Sequence, residues 1–442
     1  MTRLTRRRLL NGSLVAAGAV AGGFFSQTSV FGRSRTTLDK LRLAGVGTFN
    51  RAKENLNALA SEDIVALADV DDRKLGEAVG RFKVENKFRD YRVMLDKVAG
   101  KIDAVMVGTP DHSHAPAAAM ALRLKKHVYC EKPLTHTVFE ARTLSNLAAE
   151  NKLVTQMGTQ IHAGENYRRV VELIRAGAIG QVTEVHVWAN ARYTGGKFTT
   201  GTPCPPELDW DLFLGPAPQR PYSDGVHPFT WRNYWDYGTG ALGDFGCHYM
   251  DLVHWALDLR NPVKVAAEGP PNDPVCPPAW CIARYEYPAR GAMPAVKLTW
   301  YDSGKQPTIL PEVQKALPAR EDGKPTEFGS GQLFIGDKGM LISDYGRHFL
   351  IAGGKPMSYE YKGDRIPASI GHHKEWIEAI KNGGTTTCNF DYAGALTESV
   401  LLGAVAYKSG EAIEWDSANL KVTNSAKAQA LIHKEYRKGW VL

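Results

Sequence analysis

The sequence has no paired cysteine pattern. Its six cysteines, Cys130, Cys204, Cys247, Cys276, Cys281 and Cys388, make neither a CxxC motif nor a zinc-ligand spacing, so no metal is expected. Most fit small core positions; Cys276 and Cys281 are the pair that an oxidising compartment could join. There is no internal repeat and no low-complexity tract. Acidic residues are missing from the first 35 positions, which hold Arg3, Arg6, Arg7, Arg8, Arg33 and Arg35. These six arginines account for all but one of the formal net charge of +7. The basic balance therefore does not indicate nucleic acid, and none is expected as a partner. No apolar run makes a comfortable membrane span: residues 13–25 are of signal-peptide length, too short and too rich in glycine.

Thr5-Arg6-Arg7-Arg8-Leu9-Leu10, ahead of that apolar stretch, resembles a twin-arginine export signal. Residues 1–35 are expected to engage the twin-arginine export machinery, leaving the protein in the periplasm or anchored facing it. Ala19-Val20-Ala21 and residues 26–32 both offer a cleavage site, and neither is sharp.

At 442 residues the chain is long enough for two domains with substantial cores. Residues 41–44 read as a strand that runs into Gly45-Val46-Gly47, with a helix-forming stretch at 52–60 behind it. Glycines in that order let backbone amides approach a pyrophosphate at a helix N-terminus. Asn50 stands where a GxGxxG motif has its third glycine. A second strand, Ile64-Val65-Ala66-Leu67-Ala68, ends at Asp69, which is placed to accept a ribose 2′-hydroxyl and to repel a 2′-phosphate. NAD is favoured, while Arg73 keeps NADP open. Ala104-Val105-Met106-Val107 is short and apolar and stops at Gly108-Thr109-Pro110. After an alanine-rich helical stretch, His127-Val128-Tyr129-Cys130 delivers Glu131-Lys132-Pro133 to the same edge, and open parallel sheets bind ligands at such edges. Far downstream, a glycine-rich loop enters a helix on which Asp244 and His248, four apart, share one face. On local grounds Asp244 also fits a helix cap, and Asp251 a packing residue.

Gly45-Val46-Gly47, Ala68-Asp69, Thr109-Pro110-Asp111-His112-Ser113-His114, Glu131-Lys132-Pro133 and Gly243-Asp244-Phe245-Gly246-Cys247-His248 resemble, in order and spacing, the glucose-fructose oxidoreductase / inositol dehydrogenase / rhizopine catabolism oxidoreductase (Gfo/Idh/MocA) family. The resemblance runs over about residues 41–424. It implies an α/β fold in which residues 40–155 form an NAD-binding Rossmann domain with a doubly wound parallel sheet. Residues 156–442 form a C-terminal α+β domain for substrate binding and oligomerisation, with a large, mostly antiparallel, open-faced sheet. The residues agree: alternating stretches such as Glu184-Val185-His186-Val187-Trp188 and Val296-Lys297-Leu298-Thr299-Trp300 suit a sheet with one covered face. Pro/Gly-rich loops at 195–209, 215–230 and 304–329 suit substrate or subunit contacts. Residues 372–381 and 396–408 read as amphipathic helices.

The spacing and the resemblance together assign roles. Oxidising a secondary alcohol removes a proton from oxygen while hydride leaves carbon, so His248 is expected as general acid/base, Lys132 as positioner of substrate and nicotinamide, and Asp244 as orienter. Gly45, Gly47, Asp69, Thr109, Pro110, His114, Glu131, Lys132 and Gln160 are expected to hold the cofactor. His162, Arg192, Tyr193, Trp231, Arg232 and Tyr237 are expected to meet the substrate, with aromatic rings stacked on a sugar face. The implied activity is NAD(P)-dependent oxidation of a sugar, sugar derivative or cyclitol, with the cofactor tightly retained because export removes the protein from a free supply. A glycoside hydrolase or lyase working through transient 3-keto oxidation is the alternative, and a non-catalytic sugar-sensing protein a second. A homodimer or homotetramer is implied by the family.

Overall fold

The computed structural model describes residues 40–442, so the export-signal reading lies outside the described residues. Six strands, β1 (Arg42–Val46), β2 (Asp63–Ala68), β3 (Asn86–Phe88), β4 (Ala104–Val107), β5 (His127–Glu131) and β6 (Thr155–Gly158), form the first sheet in the order β3-β2-β1-β4-β5-β6. Every pairing is parallel. Such a sheet needs helices on both faces, which is why β4 is an unbroken apolar run, buried at every position. The strand order reverses between β1 and β4, and this opens a crevice at their carboxyl ends. The boundary expected near residue 156 falls inside β6, which continues to Gly158.

The second sheet comprises β7 (Val182–Ala189), β8 (Lys264–Glu268), β9 (Ile282–Tyr287), β10 (Val296–Asp302), β11 (Gly331–Gly336), β12 (Met340–Ser343), β13 (His348–Ala352), β14 (Lys355–Met357), β15 (Ile413–Asp416) and β16 (Lys421–Val422). Its order is β14-β13-β12-β11-β7-β10-β9-β8-β15-β16, antiparallel except where β7 meets β10. Val185, Val187, Tyr285, Leu298 and Trp300 turn to one face and pack into the core with the helices Gly240–Leu257 and Phe390–Ser409. The other face is only partly open. The Pro/Gly-rich segment 304–329 contains a short helix, Leu310–Lys315, whose Leu310 and Val313 cover Trp188, Leu333 and Ile342. Around β8–β10 the exposed face is polar and carries the Arg284–Glu268 ion pair.

Late residues close over the first sheet. Met157 N–H donates to Cys388 O at 2.9 Å, Phe390 N–H to Thr155 Oγ1 at 2.9 Å, and Gln156 Nε2 to His372 O at 3.1 Å. The buried Glu140 carboxylate accepts Tyr436 Oη at 2.6 Å and pairs with Lys434 Nζ at 3.2 Å. All six cysteines are free thiols, so the Cys276–Cys281 pairing is not formed. Among the described residues no helix is long and apolar enough to cross a membrane.

Candidate active site

Strand β1 ends at a turn that only glycine permits. Gly47 sits at φ +88°, and a Cβ there would lie 2.8 Å from the Gly108 carbonyl oxygen. Gly45 is kept small from the other side, where a Cβ would meet Leu67 Cδ2 at 2.8 Å. Asn50, at the place of the missing third glycine, adopts φ 54° and precedes the helix Arg51–Ala58. Its ψ of −121° lies outside the left-handed helical region in which asparagine is at ease, so the turn is kept at a backbone cost. The N-terminal amides and dipole of that helix face the crevice and favour an anion. Thr48 N–H and Oγ1 both donate to Asp69 Oδ2 at 2.8 Å, and Asp71 N–H donates to Oδ1 at 3.0 Å. Burial pushes the Asp69 carboxyl up from its ordinary value. Arg73 is turned onto Asp71, with Nη2 to Oδ2 at 3.2 Å. Asp69 is therefore the charge at the ribose end.

At the ends of β4 and β5 a second set of groups converges. Glu131 is 4% exposed; its Oε1 accepts Asn55 Nδ2 and Gln160 Nε2, each at 2.8 Å, while Oε2 is buried with no partner among the described residues. Gly158 must be glycine, since a Cβ there would fall on the Glu131 carboxylate. Burial raises the Glu131 carboxyl. His114, buried, places its ring nitrogens 2.8 Å from Pro133 O and 2.7 Å from Thr109 O, bracing the two strand-end loops together. Burial lowers its pKa. Lys132, before a cis peptide to Pro133, donates from Nζ to Asp244 Oδ1 and, at 3.1 Å, to Asp244 O.

The helix Gly240–Leu257 presents Asp244 and His248 on one face, as their spacing requires. Burial alone would raise the Asp244 carboxyl, but Lys132 and Arg232 outweigh it and hold it at about 2. Arg232 Nε lies 3.7 Å from Asp244 Oδ1, and its guanidinium stacks over Trp231 at 4.1 Å. Burial and the neighbouring Lys132 charge push the His248 imidazole down to about 3, and its Nδ1 is buried without a partner among the described residues. The site therefore holds a neutral histidine beside a lysine–aspartate pair.

One cavity of about 700 Å³ joins these groups. Gly47, Asp69, Thr109, Pro110, His114, Glu131, Lys132 and Gln160 line its nucleotide side; Tyr193, Trp231, Arg232, Asp244 and His248 line the other. Three expected substrate residues are not brought there. His162 is buried (1% exposed), stacked on Trp255 at 4.2 Å, with Nδ1 2.9 Å from Asp251 Oδ1. The ligand atoms of His162, Asp251 and Cys388 lie within 4.8 Å of one another, a spacing a metal ion could use, but the Asp251 carboxylate is already taken by His162 and by the Tyr392 hydroxyl. Tyr237 is fully buried in a hydrophobic cluster with Phe213, Leu214 and Tyr234, because this loop builds its own small core. Arg192 is exposed and outside the cavity lining. Conversely, Asp111, Phe245 and Tyr345 line the cavity without having been singled out in the sequence as site residues. Asp111 stood within a quoted motif; Tyr345, between β12 and β13, carries no local signal.

These residues fit a nicotinamide dinucleotide. Backbone amides at a glycine turn suit the pyrophosphate, Asp69 the ribose diol, and the unpartnered Glu131 Oε2 a further donor on the cofactor. Comparison with known proteins agrees. Residues 40–159 match an oxidoreductase family's NAD-binding Rossmann fold, and residues 167–293 match its C-terminal alpha/beta domain. Together they cover more than half of the chain, which belongs to the Gfo/Idh/MocA oxidoreductase family. It is 27% identical over 198 residues to a levoglucosan dehydrogenase of Pseudarthrobacter phenanthrenivorans (43% of this chain, 42% of that protein). It is 25% identical over 168 residues to a myo-inositol 2-dehydrogenase of Thermotoga maritima (38% and 46%). The chain thus spans less than half the length of these curated relatives. Its fold is that of the aldose-aldose oxidoreductase from Caulobacter crescentus crystallised with glycerol, at a TM-score of 0.58 and 17% identity over 85% of this chain and 100% of that one. A levoglucosan dehydrogenase in complex with NADH and levoglucosan gives 0.55 and 18%, over 85% and 99%.

Proposed function

We propose that this protein oxidises a secondary alcohol of a sugar, sugar derivative or cyclitol, with NAD as hydride acceptor. The observation that carries this reading is the convergence of Lys132, Asp244 and His248 on a cavity continuous with the Gly47 and Asp69 nucleotide edge. NAD, when bound, supplies the two-electron acceptor. Lys132, fixed by Asp244, donates to the substrate oxygen and stabilises developing alkoxide. His248, neutral at any ordinary pH, can accept the hydroxyl proton. Trp231 and Arg232 offer a ring face and a cation to sugar hydroxyls.

The twin-arginine reading of residues 1–35 supports an exported enzyme that folds around its cofactor and keeps it, so that the redox cycle closes inside the protein. A homodimer or homotetramer fits the family and is read by light scattering. The functional test is purification without added cofactor, absorbance near the NADH band, and addition of sugars and glycosides with product analysis. Reduction of bound NAD with formation of an oxidised sugar is expected. Glycoside cleavage with no net redox change would establish the hydrolase or lyase instead, and inertness to every sugar in a broad panel, a sensor.

A further inference from the structure

Asp111 is a buried carboxyl of the cavity that the lysine–aspartate–histidine set leaves unused. It follows the end of β4, is 2% exposed, and still lines the cavity. Its Oδ2 accepts the Thr239 hydroxyl at 2.7 Å, its one hydrogen bond to a side chain among the described residues. The neighbouring cations are directed elsewhere, since Lys132 and Arg232 both engage Asp244. The sequence makes room for the contact: a Cβ on Gly243 would fall on the Thr239 side chain, so glycine one helical turn later leaves the hydroxyl free to reach Asp111. A carboxyl so buried, held by one neutral donor and set beside a permanently ionised aspartate, is a place to keep a proton.

We propose that Asp111 is a second proton-carrying residue of this site and takes up the proton that the substrate hydroxyl releases during oxidation. The inference rests on the oxidation proposed above. The carbinol C–H bond breaks and its electron pair leaves as hydride to NAD; the O–H bond breaks and its proton passes to the Asp111 carboxylate, directly or by way of His248; the C–O bond becomes a carbonyl. Nothing else is oxidised or reduced. The hydride cancels the positive charge of the nicotinamide ring while the proton cancels the negative charge of the carboxylate, so the low-dielectric cavity carries no net change of charge.

The titration order agrees with this assignment. Burial, and then the Asp244 charge, bring the Asp111 carboxyl up to about 7, against the opposing pull of Arg232, Thr239 and Lys132. Lys434 faces it from the C-terminal stretch, and Tyr193, Cys130 and Cys247 are its neutral titratable neighbours. A base near 7 is better matched to neutral operation than a histidine near 3.

The carboxyl can be read without turnover. Calorimetry of NAD and NADH binding in buffers of different ionisation enthalpy, near neutral pH, counts the protons exchanged. NADH binding to the wild type is expected to take up about half a proton more than NAD binding. Asp111→Asn is expected to abolish that difference. Thr239→Val removes a donor that favours the ionised form, so it should keep the difference and move its midpoint to higher pH. Equal proton exchange for the two cofactors in the wild type, or an unchanged difference in Asp111→Asn, overturns the proposal. Sugar oxidation should decline below about pH 7 in the wild type and be slow and pH-independent in Asp111→Asn. A proton difference that vanishes in Asp111→Asn while no sugar is oxidised would instead refute the assigned reaction and leave the carboxyl's coupling to the cofactor standing.

Discussion

Lys132 shows how one side chain is committed twice. Its amine is the counter-ion that keeps Asp244 ionised and, on the proposed function, also the donor to the substrate oxygen. Lys132→Met is expected to lower kcat/KM by about 10²- to 10³-fold, the usual loss when a transition-state donor is removed. The check is steady-state turnover on whichever sugar the panel identifies. Lys132, Asp244 and His248 were legible in the sequence because a tripeptide before proline and an i, i+4 pair are local patterns. Tyr237 and His162 were misplaced because aromatic and histidine side chains serve packing and pockets equally well, and sequence cannot tell which way a loop turns. Asp111 escaped notice for a different reason: among the described residues the cations near it are paired with other carboxylates, and this is visible only in three dimensions.

Strand ends were the best-predicted elements. The expected strand 104–107 is the observed β4, marked by an apolar run that stops at Gly108, and the expected helix 372–381 is His372–Asn382, marked by its amphipathic pattern between Gly371 and Gly383. The helix expected at 396–408 is longer, Phe390–Ser409, because Asn389 caps it with its side chain and its first turn meets β6, a contact with no sequence periodicity. The helix Leu310–Lys315 inside a Pro/Gly-rich segment was read as loop, and its apolar side is explained only by the Trp188 it covers. The turn after β1 is the most exacting element. In Gly47→Ala a methyl group would meet the Gly108 carbonyl at a φ of +88°. A stability loss of about 1–3 kcal/mol is expected, with weaker NAD binding, read by denaturant unfolding and by cofactor titration.

Over the whole molecule, buried histidines set the response to acid. Burial holds His112, His248, His254 and His372 each at about 3, below the value near 6.5 of the unfolded chain. Such groups contribute stability above about pH 6.5 that is lost as pH falls toward 3, because the unfolded chain gains protons that the folded chain refuses. Asp111 and Asp302, raised by burial to about 7 and about 6, act in the opposite sense, since the folded form binds their protons first. Burial also raises Asp69, Glu131 and Glu398 and lowers His114, His136 and His373, so among the described residues the shifted histidines outweigh the shifted carboxyls. The denaturant midpoint should therefore be lower at about pH 5 than at about pH 7.5.

The pairing of β6 with residues 386–390 bears on the order in which the ribosome delivers this chain. All six strands of the nucleotide half have emerged by Gly158, yet Met157 must wait for Cys388 and Thr155 for Phe390. Until translation reaches those residues, one edge of the nascent sheet lacks its backbone partner. The Glu140 carboxylate also stays without Lys434 and Tyr436 until those residues are made. The nucleotide half therefore becomes a finished receptor for its cofactor only after residues 386–436 have been made, and a chain released before them would carry all the phosphate-binding glycines on a sheet that is still open.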